Sequence, residues 1–446
     1  MLLRLATTAA LLVAVTGASA QAPADRDPFV EEIVAIRARR IETVSKGVVE
    51  NGIILIRAGK ITAVGTDVKI PVGTRVIMAD TVMPGIVGAF SRIGLSSSGG
   101  GAVQFGGGGF GGGFGGGLGG GARAVANPHH RVNDELYPFD EDYERLLRAG
   151  VTTLGLIPGG TGINGQGAAI KPAADSAEKM ALAATGPLAI NFSTDTQAQD
   201  LIRTTLEGGR VGTGGPPSGR PTGTTPPGPE PDPESADDDF QRGQRRTFQR
   251  PPGAGPAAPT SVSLMARRVP VMRAVAGETS TFVNCADSAA AIYALQLLAP
   301  FDRMKPIYIL SSECYRVADA LGAKKASVII PADLTFEPNT RNRVNPAAIL
   351  SQAGAKIACR PPSDDPQGYE SLRFKMAELV RAGLDRETAL KSITLHPAEM
   401  LGVADRLGSI ESGRDANVIL LDGDPFAAMT RVRRVLLEGK EVYRDR

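Results

Sequence analysis

Two apolar patterns divide this chain. Near both ends, β-branched residues cluster in short runs punctuated by turn signals. Ile53-Ile54-Leu55-Ile56-Arg57 and Ile61-Thr62-Ala63-Val64 flank Ala58-Gly59, which predicts a hairpin. Thr74 to Met78 predicts another strand. The tail repeats the style at Ala416 to Leu421 and Val432 to Leu437, then turns at Glu438-Gly439-Lys440 into Glu441-Val442-Tyr443. All-β segments at both ends predict that the ends pair into one small sheet domain. The centre instead alternates. Tyr143 to Ala149 reads as a helix capped by Gly150 and followed by a buried strand, Val151 to Ile157. Further strands are expected at Thr281-Phe282-Val283, Ile307 to Leu310, Ala326 to Ile330 and Ala355 to Ala358. Helices are expected at Ala286 to Leu298, Tyr315 to Leu321, Gly368 to Ala382 and Asp385 to Ile393. Such alternation predicts an α/β fold with a parallel sheet, for which a closed barrel is the common outcome at this length.

Two stretches break the pattern. Residues 96–121 are dominated by glycine, and residues 208–259 are rich in Pro, Gly, Ser and Thr. Neither offers enough apolar surface to offset its ordering entropy, so both read as disordered insertions. The glycine tract lacks the Gly-Lys-Ser/Thr ending of a phosphate loop. Residues 1–20 read as a secretory signal: Arg4, an apolar run from Leu5 to Val15, and Ala18-Ser19-Ala20 before Gln21. The expectation is export to the periplasm or beyond, with no membrane attachment after cleavage. The 446 residues carry a net charge of +2, which points to neither a nucleic-acid binder nor a membrane-surface protein. The three cysteines, Cys285, Cys314 and Cys359, give no disulfide framework and read as small buried hydrophobes.

The chemistry centres on Val82-Met83-Pro84-Gly85-Ile86-Val87-Gly88-Ala89-Phe90-Ser91-Arg92. This run resembles the metal-binding signature of the amidohydrolase superfamily, in which an apolar strand runs through Pro-Gly into Asp-x-His-x-His. Gly59 to Gly65, Gly150-Val151-Thr152-Thr153, Ala389 to Val403 and Leu407 to Val418 are similar to other parts of that family, and the nearest branch is the exported, imidazolonepropionase-like one. The resemblance implies a distorted (β/α)8 TIM barrel over residues 84–406. It also implies a composite β-sandwich from residues 28–83 and 407–446. Active members bind one or two divalent metals, usually zinc, at the barrel mouth and hydrolyse C–N bonds other than peptide bonds. The metal lowers the pKa of its bound water. Its ligands are the paired first-strand histidines, one histidine on each of two later strands, and an aspartate on the last strand that also takes the proton.

Carried over position by position, most ligands are missing. Gly88 stands at the signature's Asp, and Phe90 and Arg92 at its two histidines. The later-strand histidines fall at Asn284 and Leu310. Only the aspartate survives, as Asp364 in Pro362-Ser363-Asp364-Asp365-Pro366. A phenyl ring cannot ligate a metal, and a guanidinium is a fixed cation. Lys171, the nearest lysine to a strand end, reads as a surface residue rather than a metal-bridging one. The whole chain has three histidines, His129, His130 and His396, where a centre of this family uses about four imidazoles and one carboxylate. His396 reads as a capping or packing residue, and the adjacent His129 and His130 diverge.

The expectation is therefore a degenerate scaffold with no metal cofactor, serving as a binding or partner protein. Arg92 would supply the positive charge and pair with Asp364. A small molecule at the barrel mouth, a homo-oligomer or an active relative are the partners it allows. The alternative is an active exported hydrolase of cyclic amides or dipeptides, in which Asp364 or Asp365 activates water and Arg92 stabilises the developing charge with weak or no metal.

Overall fold

The computed structural model of the chain describes residues 33–95, 124–174, 176–183, 185–192, 195–209 and 264–445. The expected signal at 1–20 and the glycine tract at 96–121 lie outside these residues. So does all but the start of the Pro-rich stretch, whose first two residues close the helix Thr196–Gly209.

Both chain ends build one sheet. Its strands are β1 (Ile33–Glu42), β2 (Val48–Arg57), β3 (Lys60–Gly65) and β4 (Arg75–Pro84) from the front, with β17 (Val418–Leu421), β18 (Val432–Leu437) and β19 (Lys440–Arg444) from the tail. Their order is β19-β18-β17-β4-β1-β2-β3. The seam between the ends is the antiparallel pair β4 and β17, with Met83 opposite Ile419. Ile36, Ile54, Ile56, Val82, Val418 and Leu420 share one apolar core within this sheet. The hairpin turns from the two opposite edges of this strand order abut. Ala58 and Gly59 have φ of 50° and 78°, and Glu438 and Gly439 have φ of 47° and 74°, the left-handed pairs that a two-residue turn of primed type requires. A Cβ on Gly59 would come within 2.8 Å of the Glu438 carbonyl oxygen, so only glycine lets the two turns pack together.

The centre holds β5 (Ile86–Ser91), β6 (Val125–Ala126), β7 (Val151–Leu156), β8 (Gly162–Gln166), β9 (Ala168–Ile170), β10 (Leu188–Phe192), β11 (Ser280–Cys285), β12 (Lys305–Ile309), β13 (Ser327–Pro331) and β16 (Lys356–Arg360). A small hairpin, β14 (Thr335–Phe336) with β15 (Arg343–Val344), stands apart. One sheet runs β16-β13-β12-β11-β10-β8-β6 and another β5-β7-β9. The strands β10, β11, β12, β13 and β16 are mutually parallel, as the alternating pattern predicts. The stretch 162–170 departs from it. It runs antiparallel to β7 on one side and to β10 on the other, and so links the two sheets. β5 packs beside β16 without a backbone ladder. Among the described residues, the centre is thus a mixed α/β assembly of two sheets and not one hydrogen-bonded barrel.

The flanking helices follow local signals. Gly150 caps Asp142–Ala149 with φ 91°, and the Asp287 carboxylate caps Ser288–Leu298. The helix expected at Tyr315 to Leu321 is instead a 3-10 turn, Ser312–Val317, followed by Ala318–Ala323. All three cysteines are free and buried. No helix among the described residues is long and apolar enough to cross a membrane.

Candidate functional site

Parallel strands present alternate residues to opposite faces, so one inward face can be followed from strand to strand. Val87, Ala189, Phe282, Ile309, Ile329 and Ala358 lie on it and form one apolar cluster. Two residues further toward the strand ends, the same face carries Asn191 on β10, Asn284 on β11, Ser311 after β12 and Arg360 on β16. Asn191 and Asn284 are register partners. On β5 the pairing with β7 shifts between Gly88 and Ser91. Phe90 consequently joins the inward cluster, and Arg92 follows two residues on. The apolar layer is therefore overlaid by a layer of amides and guanidiniums.

Asp364 ties this layer together. Its Oδ1 accepts from Ser91 Oγ at 2.8 Å, and its Oδ2 accepts from the Arg92 backbone N–H at 2.7 Å. The guanidiniums of Arg92 and Arg360 each lie 5.9 Å from the centroid of the Phe90 ring, within cation–π range. Both also attract the Asp364 carboxylate. The residue borders solvent, yet enough protein crowds its carboxylate that burial is the largest influence and pushes its pKa above the ordinary value. The hydrogen bonds from Ser91 and Arg92 and the two guanidiniums oppose that rise. Burial lowers the pKa of Arg92 and of Arg360, and Asp364 offsets part of the loss. Guanidinium basicity is high enough that both remain cations.

The neighbouring Asp365 does something else. Its carboxylate accepts from the Gly368 N–H at 2.6 Å and caps the helix Pro366–Arg381. An Asp followed by Pro at the first helical position marks such a cap in the sequence itself. Of the two candidate aspartates, only Asp364 reaches the mouth layer.

The structure brings Phe90, Arg92 and Asp364 together and puts Asn284 on the same inward face. It does not do so for Leu310, which is 1% exposed and packs in the outer core. Side-chain parity on β12 follows Ile309, so the inward position is Ser311. Lys171 is not a surface lysine: its Nζ lies 2.7 Å from Glu438 Oε1, joining the centre to the end sheet, and its side chain is 16% exposed. The histidines do not converge. His396 places Nδ1 2.8 Å from the Ile357 carbonyl oxygen, and burial lowers its pKa. His130 faces Glu135 at 3.5 Å in the loop after β6. Among the described residues, no three His, Cys, Asp or Glu side chains come together to hold a metal ion. The donor set at the mouth is one carboxylate, amides and two fixed cations, which does not fit a divalent ion.

Sequence reasoning missed Arg360, Asn164 and Tyr369. Tyr369 donates to the Phe90 carbonyl at 3.5 Å, and a side chain on Gly88 would collide with its hydroxyl. Gly88 at the signature's Asp position is thus matched by a tyrosine from the helix that Asp365 caps. Asn164 is 4% exposed, and neither amide atom has a hydrogen-bond partner.

The arrangement of an α/β centre with its chemistry at strand ends, and a sheet shared by both termini, defines an amidohydrolase-like scaffold. A family model described as "Amidohydrolase family" matches residues 372–443. The solved structure of an amidohydrolase from Thermotoga maritima MSB8 superposes with a TM-score of 0.66 at 20% identity, over 92% of this chain and 100% of that one. The chain thus shares its fold with that amidohydrolase structure, and its C-terminal part matches the family model. Among curated proteins, it is 40% identical over 63 residues to an N-acetylglucosamine-6-phosphate deacetylase of Danio rerio, which is 14% of this chain and 14% of that one. It is 36% identical over 63 residues to "Amidohydrolase tasK" of Hapsidospora irregularis, 14% of this chain and 6% of that one. The chain thus matches only a small fraction of these relatives' length.

Proposed function

We propose that this chain is a distorted amidohydrolase barrel with a composite β-sandwich, whose metal centre has been replaced by fixed cations and which acts by binding. The observation that carries the reading is the Asp364 cluster. The carboxylate at the family's last ligand position accepts from Ser91 and from the Arg92 backbone, and two guanidiniums neutralise it. In an active relative a metal would be the positive charge there. A guanidinium does not lower the pKa of a bound water as a zinc ion does, so ordinary water activation has no agent.

Export, which rests on the pattern of residues 1–20, would put this activity in the periplasm or outside the cell. A small molecule at the mouth, a second copy, or an active relative are the partners this reading admits. The alternative of slow hydrolysis by Asp364 and Arg92 has less support, because each carboxylate oxygen already accepts a hydrogen bond. Elemental analysis tests the reading. Protein expressed in medium supplemented with zinc and manganese, then dialysed, should carry far less than one metal per chain. A stoichiometric metal that survives dialysis would refute it, and turnover of a hydantoin or dipeptide that vanishes in Asp364→Ala would favour the alternative.

A further inference from the structure

We propose that a cleft at the entry ends of the parallel strands binds a soluble phosphate monoester with an apolar body. The cleft lies at the opposite end of these strands from Asp364 and Asn284, so the inference goes beyond the mouth and does not depend on what happens there. Parallel strands all begin at one end of a sheet, so the residues that open them are neighbours. Lys305 opens β12 and Lys356 opens β16, while Lys324 and Lys325 sit just before the entry into β13. The strand order β16-β13-β12 therefore gathers four lysines from three separate connections.

All four line one cleft of about 530 Å3, a size in the range of small-molecule sites. Two carboxylates, Asp302 and Glu399, line it with them. Glu399 is taken by Lys356 at 2.8 Å. Lys305, Lys324 and Lys325 are exposed and, among the described residues, have no carboxylate partner. Even with Asp302 counted against them, two ammonium charges are left over, which is the charge of a phosphate monoester dianion. A carboxylate would compensate only one. Lysine binds phosphate as a point charge, and the hydroxyls of Ser280 and Ser327 line the same cleft as further donors. Ser280 is the register partner of Lys305, and Ser327 that of Lys356.

The lysine rim surrounds an apolar floor. Ile307 and Met400 come from the inward cluster, and Leu298, Phe301 and Met304 from the outer core. All five line the cleft, which therefore opens where the two clusters meet. Solvated surface lysines account for the rim but not for a cleft that reaches the core. Inorganic phosphate would use the rim alone, whereas an ester with an aromatic or aliphatic group also covers the floor and removes it from water.

Calorimetric titration of the full chain with 1-naphthyl phosphate tests this, with 1-naphthol and inorganic phosphate as the two halves of the probe. The ester should bind one to one, at least about tenfold more tightly than either half, and more weakly as salt rises. Lys305→Gln combined with Lys324→Gln should weaken it by about tenfold while the melting temperature shows the protein folded. Ala299→Trp, at an exposed position lining the cleft, should block binding without removing a charge. Lys69→Gln, at an exposed lysine outside the cleft, should leave affinity unchanged. An ester that binds no better than inorganic phosphate, an equal loss in Lys69→Gln and in the double variant, or no binding at all would overturn the inference. Sedimentation with phosphatidic acid vesicles separates a soluble ester from a lipid headgroup. The protein should stay in solution, and pelleting that the double variant abolishes would assign the cleft to the headgroup and contradict the soluble ligand.

Discussion

Residues 372–443 and residues 86–92 belong to the same scaffold but have kept different things. The first stretch matches the family model, and it supplies packing positions to the core. Leu379, Leu390, Val418, Leu420 and Leu436 are all buried. Gly402 caps the helix Leu395–Leu401 with φ 73°, and a Cβ on Gly408, at φ 95°, would press within 2.9 Å of Ala398 Cβ. The second stretch keeps its packing too: Ile86, Val87 and Ala89 are buried, and a side chain on Gly85 would collide with Thr152. What differs is the inward chemistry at Phe90 and Arg92. The requirements of the fold and the requirements of hydrolysis fall on different residues, so one can persist without the other.

The contrast predicts that the two stretches respond differently to substitution. The largest effect should come from the scaffold. Leu420→Ala, at a site 1% exposed in the end-sheet core, should cost about 3 kcal/mol in urea unfolding. A loss below about 1 kcal/mol would mean that this sheet does not hold the fold together. Next comes the mouth. Asp364→Ala removes the acceptor for Ser91 and for the Arg92 N–H and the carboxylate that attracts the guanidiniums of Arg92 and Arg360. It should cost about 1–2 kcal/mol, since the site borders solvent. Arg92→Gln should change stability by less than about 1 kcal/mol, well below the Leu420 effect, as urea unfolding would show.

The smallest effect is a pH slope. Burial holds His396 below its ordinary value of 6.5, so the unfolded chain takes up a proton that the folded chain refuses. Stability from this group is full above 6.5 and falls as pH drops through the window below it. His396→Gln should flatten that part of the stability profile measured by urea unfolding. A profile identical to that of the unsubstituted protein would show that the histidine ionises freely in the fold.

Much of the scaffold was legible in the chain. The end strands announced themselves by β-branched runs around Ala58-Gly59 and Glu438-Gly439, whose backbone angles only a short list of residues tolerates. The parallel strands from β10 to β16 followed from apolar runs between helical segments. The stretch 162–170 was not legible, because Gly162, Gly165 and Gly167 interrupt it and glycine carries no strand preference. At the site, Phe90, Arg92 and Asp364 could be read from a resemblance. Arg360 could have been found by continuing the alternation of Lys356-Ile357-Ala358 one step further. Leu310 was misplaced by a single residue, which in a strand moves a side chain to the opposite face. Asn164 gave no signal at all, since its isolation depends on which groups the fold leaves away from it.

The central claim is that Arg92 and Arg360 occupy the electrostatic role of a divalent ion. Titration of zinc into the purified protein, followed by calorimetry, tests it most directly. The account predicts no saturable one-to-one site. A tight site of unit stoichiometry that disappears in Asp364→Asn would contradict it.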